Sequence, residues 1–351
     1  MNTDRMLELL KLDKIVRNDS LEGDLSGLDL SDAVFDGIDF RGVAIQDCNL
    51  TNAVLMKCDC RGGQWASANL FGTTFKDCDF SAADLSEQNI ERGTWIGTQF
   101  IDAKLDRINF RQTNVAKCDF ESASIIGSVV FETVFMQCLF KHAVITQGDW
   151  TNFVLNETDL RETQWQPTRL ERGVMIQCDF SNKKLPHSEW LQCSLNESHF
   201  AGSDLSDSNL FHCLFISCDM QDCRMSRANL DGANFTDAVL QGCDFSQCEI
   251  SGGNFERAQA RSARFEGARV SNGRFVDSNM TDTKFTDAHL AMSDFSNAVL
   301  EDCQFLGAIL THANWHNVSS NVQLSSLQSS VVMGTDSDRF EVEQRIRAGQ
   351  Q

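Results

Sequence analysis

The sequence has no run of 18 apolar residues, which excludes an ordinary transmembrane helix and argues against membrane insertion. Positive charge is scarce. Thirty Lys and Arg stand against 50 Asp and Glu, a formal net charge of −20. Such a surface repels phosphate, so direct nucleic-acid binding is not expected. Tyr is absent and Pro occurs twice. The first twenty residues interleave acids and bases with their apolar residues and do not read as a signal peptide. There is no nucleophile elbow, phosphate loop or two-His metal motif. What is abundant is Phe (25) and Cys (14), and a length that ordinarily divides into two domains.

The residues that are present follow a register of five. From Leu25 to Trp315 every residue whose number is a multiple of five is apolar, the weakest being Cys60 and Ala260. All six Trp and 20 of the 25 Phe lie in this column of centres. Neither a helix of period 3.6 nor a strand of period 2 produces such a pattern. Two residues before each centre runs a second column, filled by Ala, Gly, Ser, Thr or Cys except at Leu28, Ile38, Val43, Gln88, Ile108, Phe153 and Lys183. One large and one small buried residue per five predicts a narrow, tightly filled interior. Asp or Asn often precedes the centre, and polar residues and Gly follow it, as in a solvated turn.

Residues 228–240, Ala-Asn-Leu-Asp-Gly-Ala-Asn-Phe-Thr-Asp-Ala-Val-Leu, resemble the A-(D/N)-L-x-x motif of the pentapeptide-repeat family. The resemblance implies an all-β solenoid, a right-handed quadrilateral β-helix with four pentapeptides per coil and about 14 to 15 coils over residues 21–316. At the ordinary strand spacing this is a rod of roughly 70 Å, a single quasi-one-dimensional array. Residues 1–20 are expected to form an N-terminal helical cap, with an amphipathic helix over 4–16. Residues 317–351 are expected to be a Ser/Gln/Asn-rich linker carrying Leu324, Leu327, Val331 and Val332, then a short helix with Phe340, Val342 and Ile346 capped by Asp336 or Asp338. Some relatives dimerise through a C-terminal helix, so a homodimer is one expectation.

Thirteen Cys fall in the small-residue column and only Cys60 is a centre. There they alternate with Ala, Ser and Thr and read as small hydrophobes. Pairs 20 apart, such as Cys58/Cys78 and Cys118/Cys138, would stack within disulfide reach, yet this many buried thiols suits a reducing cytosol. No CxxC pair or His set accompanies Cys218 and Cys223, so no metal or cofactor is expected. The seven His are dispersed, and Asp is the repeat's own turn residue. No catalytic residues are assigned, and the expectation is a non-enzyme. Residues 150–190 break the pattern. Trp150, Phe153, Trp165, Pro167, Lys183, Pro186 and Trp190 cluster there, and Phe153 and Lys183 in the small column predict a widened or bulged coil.

Four pentapeptides per coil place residues 20 apart on one face. The face with centres 40, 60, 80 and onward is the most acidic. Just before its centres stand Asp39, Asp59, Asp79, Asp119, Asp159, Asp179 and Asp219, and Asp222, Asp282, Glu301 and Asp302 continue the acidity. Stacked carboxylates repel unless salt or a basic partner screens them. The face with centres 35, 55, 75 and onward carries Val34, Val54, Met56, Val134, Met136, Val154, Val174, Ile176, Leu214 and Ile216, an apolar stripe if exposed. These features predict a non-catalytic interaction scaffold whose protein partner has a basic surface. The opening Ser-Leu-Glu-Gly-Asp-Leu-Ser-Gly-Leu-Asp-Leu (20–30) is similar to arrays in accessory proteins of bacterial type VI secretion. The alternative is a DNA mimic, since the family includes members that bind DNA gyrase and protect it from quinolones. A bacterial cytoplasmic location, with export by a route lacking a signal peptide left open, completes the expectation.

Overall fold

A period of five requires the chain to turn a corner after every centre, and the backbone shows how it does so. Among the described residues, the second residue after nearly every centre adopts the left-handed conformation, from Asp32 (φ 56°) through Ala82 (56°) and Met292 (59°) to Asn317 (54°), with Gly at positions such as Gly27 and Gly232. Asp, Asn and Gly reach this region at least cost, which explains the composition of the turns. The residue before the centre completes the corner. Its side-chain oxygen accepts a hydrogen bond from the amide two residues on, as in Asp79 Oδ1 with Ser81 N at 2.9 Å and Asp294 Oδ1 with Ser296 N at 3.0 Å. The small residue then donates its amide to the carbonyl of the centre three positions earlier (Ala33 to Leu30, 3.2 Å).

A computed structural model describes residues 1–13, 15–65, 67–166, 169–322, 332–338 and 340–342. Pro167, Leu324, Leu327, Val331 and Ile346 lie outside the described residues. The fold is a parallel β-solenoid, and it divides into two units, residues 1–179 and 180–351.

The first unit opens with helix α1 (Thr3–Asp13), which buries Met6. The helix expected over 4–16 stops at 13. Ile15 and Val16 belong instead to strand β1 (Ile15–Arg17), which pairs in parallel with β2 (Val34–Asp36). The reason is register: Val16 reaches the interior as a centre, 1% exposed, where a helical Val16 could not. From there β3 (Val54–Met56), β4 (Thr74–Lys76), β5 (Thr94–Ile96) and β6 (Asn114–Ala116) stack in order, each residue opposite the one 20 later. The same ladder continues through three-residue strands at 134–136, 154–156 and 174–176, nine turns in all. Inside, Phe80, Phe100, Phe120 and Phe140 stack face to face with centroids 5.0–5.5 Å apart.

The second unit pairs through single parallel bridges, again 20 residues apart, from Lys184↔Asp204 to Asp294↔Asn314. Its interior holds a second ring column, Phe215, Phe235, Phe255, Phe275 and Phe295, with interplanar angles of 3–11°. At its far end Asp336 accepts the amides of Asp338 and Phe340 in a helical turn, and Phe340 rests against buried His316.

Phe153 does not bulge its coil. Val154 stays in register with Val134 and Val174, and Phe153 is fully buried. Room comes from the coil above: a Cβ at Gly173 would lie 2.4 Å from the Phe153 ring. Lys183, in the second unit, is half-buried, and its carbonyl still accepts Asp204 N at 2.8 Å, so no bulge forms there either.

A candidate docking surface

The candidate site is built from corner residues, because the solenoid consumes the rest. Along the acidic face of the first unit, Asp39, Asp59 and Asp79 stack in bridge register, as do Asp159 and Asp179. Asp39, Asp59, Asp79 and Asp159 first serve their own turns, accepting the amide two residues on, as Asp39 does from Arg41 at 2.9 Å. Three arginines then close on them. Arg41 forks onto Asp39 (3.0 and 2.7 Å) and also reaches Asp59 at 3.2 Å. Arg61 forks onto Asp59 and approaches Asp79 at 3.6 Å, and Arg161 forks onto Asp159 and reaches Asp179 at 3.2 Å. The Arg41 guanidinium holds the Asp39 carboxyl down at about 2, well below its usual value, and the same hydrogen bonding from Arg61 lowers Asp59. Most of this ladder is therefore charge-paired within the chain. The sequence holds the signal, Asp-x-Arg at 39–41, 59–61 and 159–161.

The exceptions are concentrated. Asp119 is followed by Glu121, where Asp39, Asp59 and Asp159 are each followed by Arg, and among the described residues neither has an ion pair. One coil on, the column carries Leu139, which is 59% exposed. Around Leu139 lies a cleft of about 260 Å³. It is lined by Asp119 and Glu121 from the coil below, by Leu139, Phe140 and Lys141 from their own coil, and by Asp159 and Glu162 from the coil above. On the upper side Glu162 faces Lys141 Nζ at 3.9 Å and His142 Nε2 at 3.4 Å, and Asp159 is held by Arg161. In the second unit, Asp219, Asp222, Asp282, Glu301 and Asp302 have no ion pair among the described residues. Asp282 accepts from Ser262 Oγ at 2.9 Å, Glu301 from Ser319 Oγ at 3.1 Å and Asp302 from Asn321 Nδ2 at 2.8 Å.

The apolar stripe is half sunk. Val34, Val54, Met56, Val134, Val154, Val174 and Ile176 in the first unit, and Leu214 and Ile216 in the second, are of intermediate exposure. Only Met136 (48%) and Ile96 (37%) stand clear. Pre-centre Val side chains pack on one another along the ladder, where β-branched residues fit a pleated surface.

The cysteines among the described residues are all free, and all but Cys303 are buried. Most of the thiols in the small-residue column donate to the carbonyl of a centre one coil below, as Cys213 does to Trp190 at 3.2 Å and Cys218 to Leu195 at 3.0 Å. Thr73 and Thr113 make the same bond to Leu50 and Ile90, which explains why Cys, Ser and Thr interchange in this column. Burial pushes the Cys138 thiol up to about 11 and those of Cys178, Cys218 and Cys223 to about 12. Among the described residues no three His, Cys, Asp or Glu side chains gather as a metal-binding group, and no helix is long and apolar enough to cross a membrane.

Comparison with known sequences finds "pentapeptide repeats (8 copies)" over residues 24–55, 48–87 and 208–247, and a "pentapeptide repeat region" over 238–315. No curated protein matches the chain. Among solved structures, it is similar to HetL, a pentapeptide repeat protein involved in heterocyst differentiation regulation in the cyanobacterium Nostoc (19% identity, 88% of this chain and 97% of that one, TM-score 0.17). It is also similar to a pentapeptide repeat protein of the Arabidopsis thaliana thylakoid lumen (21% identity, 29% and 67%, TM-score 0.20) and to QnrB1, a plasmid-mediated fluoroquinolone resistance protein (15% identity, 72% and 97%, TM-score 0.23). None reaches a TM-score at which a shared overall shape could be argued.

Proposed function

Starting from a chain that belongs to the pentapeptide-repeat family, we propose that it acts as a non-catalytic interaction scaffold for a protein partner with a basic surface. The observation that carries this reading is the contrast along one face of the first unit. Arginines neutralise Asp39, Asp59, Asp159 and Asp179, while Asp119 and Glu121 are left unpaired beside an exposed leucine. Folding alone accounts for Asp in the corner. It does not account for Glu121, whose like charge beside Asp119 is unfavourable until a cation screens it. The adjacent half-buried stripe adds Met136 and Ile96 as the apolar side chains available for contact. We further propose that the unpaired Asp219, Asp222, Asp282, Glu301 and Asp302 give the second unit an acidic docking surface of its own.

A dye-labelled 20-residue lysine–alanine peptide tests the reading through paired charge reversals. Asp119→Lys with Glu121→Lys is expected to weaken binding by about tenfold, roughly 1.4 kcal/mol. Asp84→Lys with Glu87→Lys, the same charge change on another face, is expected to leave it within about twofold. Equal losses would mean that the peptide reads only net charge, and the face assignment would fail.

The DNA-mimic reading is the weaker one, because Arg41, Arg61 and Arg161 interrupt the run of negative charge that a duplex would present. A gyrase supercoiling assay with and without quinolone examines it. No effect at micromolar protein would remove it. A role alongside bacterial secretion and a cytoplasmic location belong to the same proposal and rest on the sequence alone.

A further inference from the structure

Leu139 is costly where it stands. At the pre-centre position an Asp or Asn would accept the amide two residues on, as Asp119 Oδ1 accepts Glu121 N at 3.0 Å. Leu139 gives that bond up and holds 59% of its surface in water. Its neighbours convert this exposure into a shaped site. The cleft of about 260 Å³ is small, with Leu139 and Phe140 between acids of the coils below and above. On the upper side, Lys141 from the coil of Leu139 faces Glu162 and Arg161 holds Asp159, so these two acids are already matched to cations. On the lower side, Asp119 and Glu121 are unpaired among the described residues.

A guest must therefore be apolar along its length and cationic at one end, and its direction is fixed. Arginine and lysine side chains have this form, an aliphatic stem that packs on apolar surface and a head that stays charged. Two carboxylates on the lower side suit a guanidinium fork in particular. We propose that the Leu139 cleft receives one basic side chain of the protein partner, arginine by preference, with its stem on Leu139 and its head between Asp119 and Glu121. This rests on the reading of the acidic face as a docking surface and adds to it an anchor point.

The test uses the full chain and two dye-labelled heptapeptides, Gly-Ser-Leu-Arg-Leu-Ser-Gly and the same peptide with citrulline, which keeps the shape of arginine and loses its charge. Anisotropy titrations are expected to show the citrulline peptide binding about fivefold or more weakly. Leu139→Asn restores the turn acceptor, so its thermal midpoint should equal or exceed that of the parent while arginine-peptide binding falls about fivefold. Asp119→Asn with Glu121→Gln should cost about tenfold. Asp39→Asn with Asp59→Asn, on the arginine-paired rungs, should cost less than about twofold. The cleft proposal is overturned if arginine and citrulline peptides bind alike, if Leu139→Asn binds as the parent does, or if neither peptide binds at about 1 mM. Should Leu139→Asn bind normally while the lysine–alanine peptide still loses affinity on reversal of Asp119 and Glu121, the acidic face stands and the anchor falls. Loss of both effects removes both.

Discussion

The second residue after a centre is where side-chain identity meets backbone cost most directly. Ala82 sits there at φ 56° with its amide donated to Ile101 at 2.8 Å, so the left-handed conformation is imposed by the ladder. Asn tolerates that region better than Ala. Ala82→Asn is expected to stabilise the first unit by about 0.5–1 kcal/mol, read as a shift in its denaturation midpoint. Asp39 gives a pH dependence at the same scale. Its folded pKa of about 2 lies below the usual 3.8, so the folded state binds fewer protons. The stabilisation is complete above about pH 4 and disappears as pH falls through 2. Arg41→Gln should flatten the acid-unfolding profile between these values, and an unchanged profile would show that the fork contributes nothing.

The residue rules were legible in sequence because each is local. The centre, the small residue and the Asp or Asn corner all lie within five positions and recur. What escaped was the charge pairing. Arg41 reaches Asp39 two residues back and Asp59 one coil away. A sum of charges over a face counts both signs and does not show that they touch. Reading Asp-x-Arg together with the 20-residue offset would have separated the paired rungs from Asp119-Phe-Glu121.

At the scale of neighbouring coils, volume is exchanged between positions 20 apart. Phe153 fills a small-residue position because Gly173 above it has no Cβ. Gly173→Ala is expected to destabilise the first unit by about 1–3 kcal/mol through overpacking. Adding Phe153→Ala should then relieve the clash, so the two substitutions are strongly non-additive. Additive losses in chemical denaturation would mean that the two residues do not share one space. This compensation was also present in the sequence, at an offset of 20, but the small-residue column read alone showed Phe153 as a disruption. The cysteines behave as the column predicts. With thiols such as Cys138 and Cys178 held up at about 11 and 12 by burial, iodoacetamide at about pH 8 should label them only as fast as the coils open. Rapid labelling of these residues in native protein would contradict their role as packed donors.

For the whole molecule, the net charge of −20 is a poor guide to where a partner would sit. Much of the acid in the ladder of the first unit is already paired, and the candidate surface is defined by the few carboxylates left over and by Leu139. The fold class followed from the register together with the family resemblance it carries. The docking surface needed coordinates, because it depends on which charges are paired and which apolar side chains remain exposed. The apolar stripe shows the same limit: its Val residues are sheet-forming corners, and exposure is confined to Met136 and Ile96.

Hydrogen–deuterium exchange of the full chain with and without the lysine–alanine peptide tests the central claim most directly. The account predicts added protection at corner amides around 119–122, 139–142 and 159–162 within the first unit, with the arginine-paired corners at 39–42 and 59–62 unchanged. Protection spread evenly over all corners of that unit, or strongest at 39–62, would contradict it.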